Sequence, residues 1–281
     1  MCTIPILSRA CRESYNDPLA VYGLLRERGM DLITVTDHDS IDAAECLRRF
    51  PDFFLSEEVS CATPAGSNVH VGVYDITERD HLEIQRRRTD LPALAAYLSE
   101  QNLFFAVNHV FSGLTGARRE ADFTLFRDLF PALETLNGQL PPSCNHAAQE
   151  LAALWGKVPV AGSDAHTLAS LGRTFTEVPG ARSGAEFLEG LKWGRASTCG
   201  HSGGYAQLTR AVWSIGHNLM RCKSWGYAVA PLALAVPLVT LGAYARDLVF
   251  AQKWSRRLGL DGFAPDACPS GIQWRPQEED V

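Results

Sequence analysis

A chain of 281 residues that is 46% hydrophobic can bury one large core with an appendage, or two small cores. Its formal net charge of −6 lacks the surplus of lysine and arginine that a sequence-independent nucleic-acid binder uses to neutralise phosphates, so there is no strong nucleic-acid signal. Eight scattered cysteines (Cys2, Cys11, Cys46, Cys61, Cys144, Cys199, Cys222 and Cys268) form no CxxC pair and no dense framework, and read as reduced thiols of a cytoplasmic protein.

The opening residues, MCTIPILSRACRES, have no basic stretch followed by an apolar core, and so do not form a secretory signal. The first helix is expected from Asp17 to Gly29, where DPLAVYGLLRERG sets a proline early, apolar residues at helical spacing and a glycine at the end. DLITVT at 31–36 reads as a buried strand that opens into the polar Asp37-His38-Asp39. Four more apolar runs end in the same way: FFLSEEVS around Glu58, NVHVGVYDI around His70, LFFAVNHV at His109 and ALETLNG at Asn137. KVPVAGSDAH then ends at Asp164 and His166. Helical stretches at 78–100 and 144–154 separate these runs, so the chain alternates strand and helix, as a parallel sheet or barrel does. In such folds the chemistry gathers at the carboxyl ends of the strands.

The character changes near residue 200, where HSGGYAQ reads as a linker. Residues 1–200 are therefore expected to form the metal-binding domain, and 201–281 a helical extension. Within the extension, 224–245 carries no charge and is bracketed by Arg221, Lys223 and Arg246. It is long enough to cross a membrane, but Pro231 and Pro237 equally suit a broken helical hairpin docked on the core. The tail from Pro265 to Val281, rich in proline and acid, is expected to be disordered.

His38, Glu58, His70, His109, Asp164 and His166 supply imidazoles and carboxylates suited to borderline divalent metals such as zinc, manganese or iron. A lone histidine in VHV is more often a satisfied core residue, and only the order of the whole set argues for ligation. In the DxH pair both side chains point to one side of an extended segment, so both can reach one cluster. A carboxylate bridging two ions would allow them to activate water and neutralise phosphate oxygens. Arg173 can offer a bidentate fork to a phosphate or form a surface ion pair. Arg86, Arg87 and Arg88 read as a solvated helix face, and His81, His146, His201 and His217 as surface or structural residues. The GLTGA turn lacks nucleotide-loop spacing, and no GxSxG elbow is present.

TDHDSID at 36–42, SEEVS at 56–60, VHVGVY at 69–74, NH at 108–109 and GSDAH at 162–166 resemble, in order, the motifs of the PHP (polymerase and histidinol phosphatase) superfamily, over about 165 residues. The resemblance implies a distorted seven-stranded β/α barrel with a di- or trinuclear metal site that hydrolyses phosphate esters. It makes Glu58 the bridging carboxylate, in preference to Glu57, with His70 and His109 as partners on one metal. Asp164 then belongs to a second metal, and His38 and His166 to a third, with Asp37 supporting its neighbour. The sequence departs from the family at the front, because no histidine precedes His38 where members carry an HxH strand. Either that first strand lies upstream of Met1, or this is a degenerate module with a binding or regulatory role and no catalysis.

Overall fold

The computed structural model describes residues 16–222 and 233–260. Helix α1 (Pro18–Glu27) is capped by the Asp17 carboxylate, which accepts from the Leu19 N–H, and Pro18 fills its first turn. The next segment, Ile33 to His38, is extended but not a full strand, with parallel bridges only from Ile33 to Phe53 and from His38 to Glu58. The short helix α2 (Asp42–Glu45) follows.

Strands β1 (Ser56–Ala62), β2 (Asn68–Tyr74), β3 (Phe104–Asn108), β4 (Ala132–Asn137) and β5 (Val158–Gly162) form one sheet in that order. The sheet is mixed: β2 runs antiparallel to both neighbours, and β3, β4 and β5 are parallel. This corrects the expectation of a parallel sheet, because the 63–67 connection is far shorter than the crossover of roughly a dozen residues that a parallel pair needs. Strands β6 (Thr174–Glu177) and β7 (Ser197–Gly200) make a separate antiparallel pair. No backbone ladder closes the two sheets into a barrel among the described residues. Instead, the Thr176 hydroxyl accepts from the Ala161 N–H and donates to the Ala161 carbonyl, tying β6 to β5. Gly200, at φ +117°, lets β7 approach β6, since a Cβ there would sit 2.1 Å from the Arg173 carbonyl.

Alternation along the strands separates two faces. Val59, Val71, Val73, Phe105, Val107 and Leu133 point outward, where Ile84, Leu94, Leu98, Phe126 and Leu151 cover them. Those covering residues come from α3 (Glu78–Arg87), α4 (Leu91–Glu100), α5 (Glu120–Leu129) and α6 (Pro142–Trp155). Each such side chain stabilises the fold by about 1.5–3 kcal/mol. The helix expected over 78–100 is broken in two because Asp90 caps a new one at the Ala93 N–H and Pro92 occupies its first turn. On the inner face, Phe104, Ala106, Ala132 and Val160 pack against Val178 and against Leu188 and Leu191 of α7 (Gly184–Lys192). The rest of that face is left to polar residues.

Helices α8 (Tyr205–Cys222) and α9 (Val236–Leu258) pair through Tyr205 Oη, which donates to the Pro237 carbonyl, and through the Thr209 and Thr240 hydroxyls, 2.8 Å apart. The second half of α9 docks on the sheet domain: Asp247 accepts from the Gly113 N–H at 2.8 Å, and Trp254 is buried against Phe123. Part of the apolar segment 224–245, namely 224–232, lies outside the described residues, as do Cys2, Cys11, Cys268 and the tail from Pro265. Cys46, Cys61 and Cys144 are free thiols.

Candidate metal centre

β1 presents Glu58 to the inner face and Glu57 to the outer one, a consequence of the two-residue period. His70 is near the start of β2 and Asn108 at the end of β3, and the two are register partners. Because β2 runs the other way, its first residues lie level with the last residues of β1 and β3. Ligand-type residues therefore converge without all sitting at carboxyl ends.

Glu58 Oε1 lies 3.1 Å from His109 Nε2 and 3.3 Å from His70 Nδ1, and those two nitrogens are 3.1 Å apart. The other oxygen, Oε2, faces His38 Nε2 at 3.5 Å. The ligand atoms of His38, Glu58 and His70 fall within 4.8 Å of one another, and His109 adjoins them through Glu58 Oε1 and His70 Nδ1. Edges of roughly 3.3 Å are what a tetrahedral ion with ligand bonds of about 2.0–2.1 Å requires. The donor set of imidazoles and a shared carboxylate is likewise a borderline-metal set, so the residues present fit a divalent ion.

The electrostatics agree with the geometry. Burial works to raise the Glu58 carboxyl, but hydrogen bonds to His109 and His70 and the nearby imidazoles hold it well below the usual carboxylate range. Burial also opposes charge on His109, yet Glu58, Glu134 and Asp164 lift it to about 9. His70 is pushed down, chiefly by burial. The His109 turn is strained, with φ +32°, and Asp164 and Asp39 also have positive φ, at +46° and +54°. Non-glycine residues in that region cost on the order of 1–3 kcal/mol each, and such strain concentrates at functional sites. The Glu134 carboxylate accepts from the His109 N–H at 2.8 Å and so holds the turn.

Asp164 is reached by the Asn137 amide at 3.2 Å, which also donates to both oxygens of Glu134. His166 Nδ1 folds back on the Asp164 carbonyl at 2.9 Å. Asp37 lines the same cleft, and its carbonyl accepts from the Glu58 N–H. Arg173 lies on the wall of the cleft, near enough to Arg28 that the two repel; burial and then Arg173 lower the Arg28 guanidinium. The cleft, of about 2850 Å³, runs from Leu32–His38 on one side to β6 and β7 on the other.

Sequence reasoning passed over Glu134, whose burial raises it to about 7. The signal was a carboxylate inside ALETLN, a strand buried throughout. Glu57 is enclosed on the outer face, where its Oε2 lies 2.9 Å from His81 Nδ1 and accepts from the Gln85 amide. Arg86 and Arg87 pair with Glu83, and Arg88 with Asp39. His146 lies 3.3 Å from Glu150, and His201 and His217 are exposed.

Residues 142–196 match the PHP-associated family model. The fold is similar to that of PsfC from Pseudomonas syringae PB-5123, with a TM-score of 0.53 and 16% identity over 73% of this chain and 89% of that one. Weaker likenesses are to a provisionally assigned metal-dependent phosphoesterase from Bifidobacterium adolescentis (TM-score 0.39, 13% identity, 64% of this chain and 91% of that one) and to the lesion-specific endonuclease PfuEndoQ from Pyrococcus furiosus (0.45, 16%, 66% and 54%). No curated protein sequence matches.

Proposed function

We propose that this chain is a PHP-type metal-dependent phosphoesterase centred on Glu58, a reading that the PHP-associated match over residues 142–196 supports. The observation that carries this reading is the triangle of Glu58 Oε1, His70 Nδ1 and His109 Nε2, whose sides match the edges of a metal coordination shell. In this reading the five- and two-stranded sheets are two arcs of an open, PHP-type barrel, and residues 201–260 form a helical appendage. Glu58, His70 and His109 would hold one ion, with His38 beside Glu58 placed to serve a second. Asp164 and His166 complete the set.

A zinc, manganese or iron ion there would supply the Lewis acidity, and the acidification of water, that hydrolysis of a phosphate ester near neutral pH requires. The protein's own groups do the rest. Asp37 steadies the turn that presents His38. Glu134, raised to about 7, can hold or release a proton at the floor of the cleft. Arg173 and Arg28 give the cleft wall a cationic patch that orients a phosphorylated substrate.

A second reading, a metal-binding module without catalysis, rests on the lack of histidine before His38. Both are tested together by stripping the purified protein with a chelator, reloading it with manganese or zinc, counting bound metal by mass spectrometry and assaying aryl phosphates and phosphodiesters. We expect metal-dependent release of phosphate. Stoichiometric metal with no ester cleaved would favour the binding module, and no bound metal would overturn both.

A further inference from the structure

From the α8–α9 hairpin we infer a second function, independent of the metal site: it is a docking face for an anionic lipid surface. The carrying observation is a face that is at once apolar, cationic and rigidly held. Leu238 and Leu241 lie on one stripe of α9, with Leu234 just before it, and Leu234 and Leu238 are 87% and 74% exposed. Val239, Val249 and Trp213 are exposed as well. Such a set is unusual on a solvated surface, where large apolar residues scatter singly.

The same region reverses the charge of the molecule. Between Tyr205 and Leu260 lie seven lysines and arginines and a single acid, Asp247, whereas the whole chain carries −6. Asp247 is buried beside Arg246, and Arg257 lies 3.8 Å from Glu120, so the surplus is offset only in part. Arg210, Arg221 and Arg246 are exposed on the two helices. An amphipathic element with leucine and tryptophan on one side and arginine on its flanks is the composition that lies in an anionic interface.

Two alternatives fail on physical grounds. The helix does not span a bilayer, because Asp247, Ala251 and Trp254 pin its second half to the sheet domain. The described part ahead of it, Ala233 to Arg246, reaches only about 20 Å, short of a hydrocarbon core of about 30 Å. A second copy of this chain is disfavoured, because pairing the two faces would bring two like-charged sets of arginines together.

The hairpin is also held firmly enough to act as a face. The Trp213 indole donates to the Ala233 carbonyl at 3.1 Å, and Tyr205 stacks edge-on to Tyr244. The exposed leucines contribute little to folding, so they can be changed without unfolding the protein.

The test is co-sedimentation of the full chain with vesicles of phosphatidylglycerol and phosphatidylcholine, compared with pure phosphatidylcholine, at low and high salt. Analytical ultracentrifugation of the lipid-free protein runs in parallel. We expect binding to the anionic vesicles only, weakened by salt. Replacing Leu234 and Leu238 by glutamate should lower it by on the order of tenfold or more, and Arg210→Gln or Arg246→Gln by roughly fivefold each. Unchanged circular dichroism melting of the variants keeps the comparison fair. Equal binding to neutral vesicles, no binding to either, or a dimer that L234E/L238E dissociates would each overturn the proposal. The last result would identify the face as a contact between copies of this chain.

Discussion

Glu57 and Glu58 are neighbours in sequence and opposites in fate, one on each face of β1. Glu58 has its carboxyl held low by His109 and His70, against the push of burial. Glu57 is raised by burial, which His81 and Gln85 only partly offset. Both glutamates are buried and each faces at least one histidine, so burial and a histidine neighbour do not by themselves mark the proposed metal site. What separates them is convergence: β2, the end of β3 and the His38 turn bring imidazoles to one Glu58 carboxylate, whereas Glu57 meets a single helix. The teaching is that a ligand set is recognised by how many elements aim at one point.

The sharpest way to break this comparison is to neutralise each carboxylate in turn. Glu58→Gln keeps the shape but removes the charge that ties the imidazoles together. We expect it to lose bound metal and to lower phosphate-ester hydrolysis by on the order of a thousandfold, measured by metal analysis and steady-state kinetics. Glu57→Ala should leave metal stoichiometry intact and instead lower stability by about 1–3 kcal/mol in urea denaturation, since it leaves His81 and Gln85 without their acceptor. If Glu57→Ala emptied the site and Glu58→Gln did not, the assignment of the two faces would be reversed.

A pH series sharpens the same contrast. His109 is raised to about 9 in the fold, so its stabilising charge is present below its unfolded value near 6.5 and is lost as pH rises toward 9. Glu134 is raised to about 7 from 4.5, so folding retains a proton there and the stability it gives is lost between pH 4.5 and 7. The two windows follow one another: the melting temperature of metal-free protein should fall first through Glu134 and then, between pH 6.5 and 9, through His109. Metal binding requires His109 to lose its proton, so the rise in melting temperature on adding metal should grow over the same interval. A metal-free melting temperature that rose with pH would contradict the charge state of the cluster. The smallest effect expected is for Arg88→Ala, which removes an exposed pair with Asp39 worth roughly 0–1 kcal/mol, visible as a slight shift in urea midpoint.

Much of the fold was legible in local sequence. The Asp17-Pro18 start of α1, the apolar runs around Glu58, His70 and His109, and the ligand-type residues themselves could all be read from residue type and spacing. The antiparallel turn of β2 was not read, because the runs were taken as separate strands; the length of the 63–67 connection held that information. The break before α4 was also present, as Asp90 and Pro92, and was overridden by the helical look of its flanks. Glu134 was missed for a different reason. Its importance comes from the His109 turn, which has φ +32°, a conformation that no property of the NHV tripeptide announces. The docking of Asp247 onto Gly113 joins residues more than a hundred positions apart and leaves no periodic trace at all.

The measurement that tests the central claim most directly is anomalous scattering from zinc- or manganese-loaded crystals. The account predicts a peak about 2.0–2.3 Å from Glu58 Oε1, His70 Nδ1 and His109 Nε2 together. A loaded protein whose anomalous peaks lay away from Glu58, or beside Glu57 and His81, would contradict it.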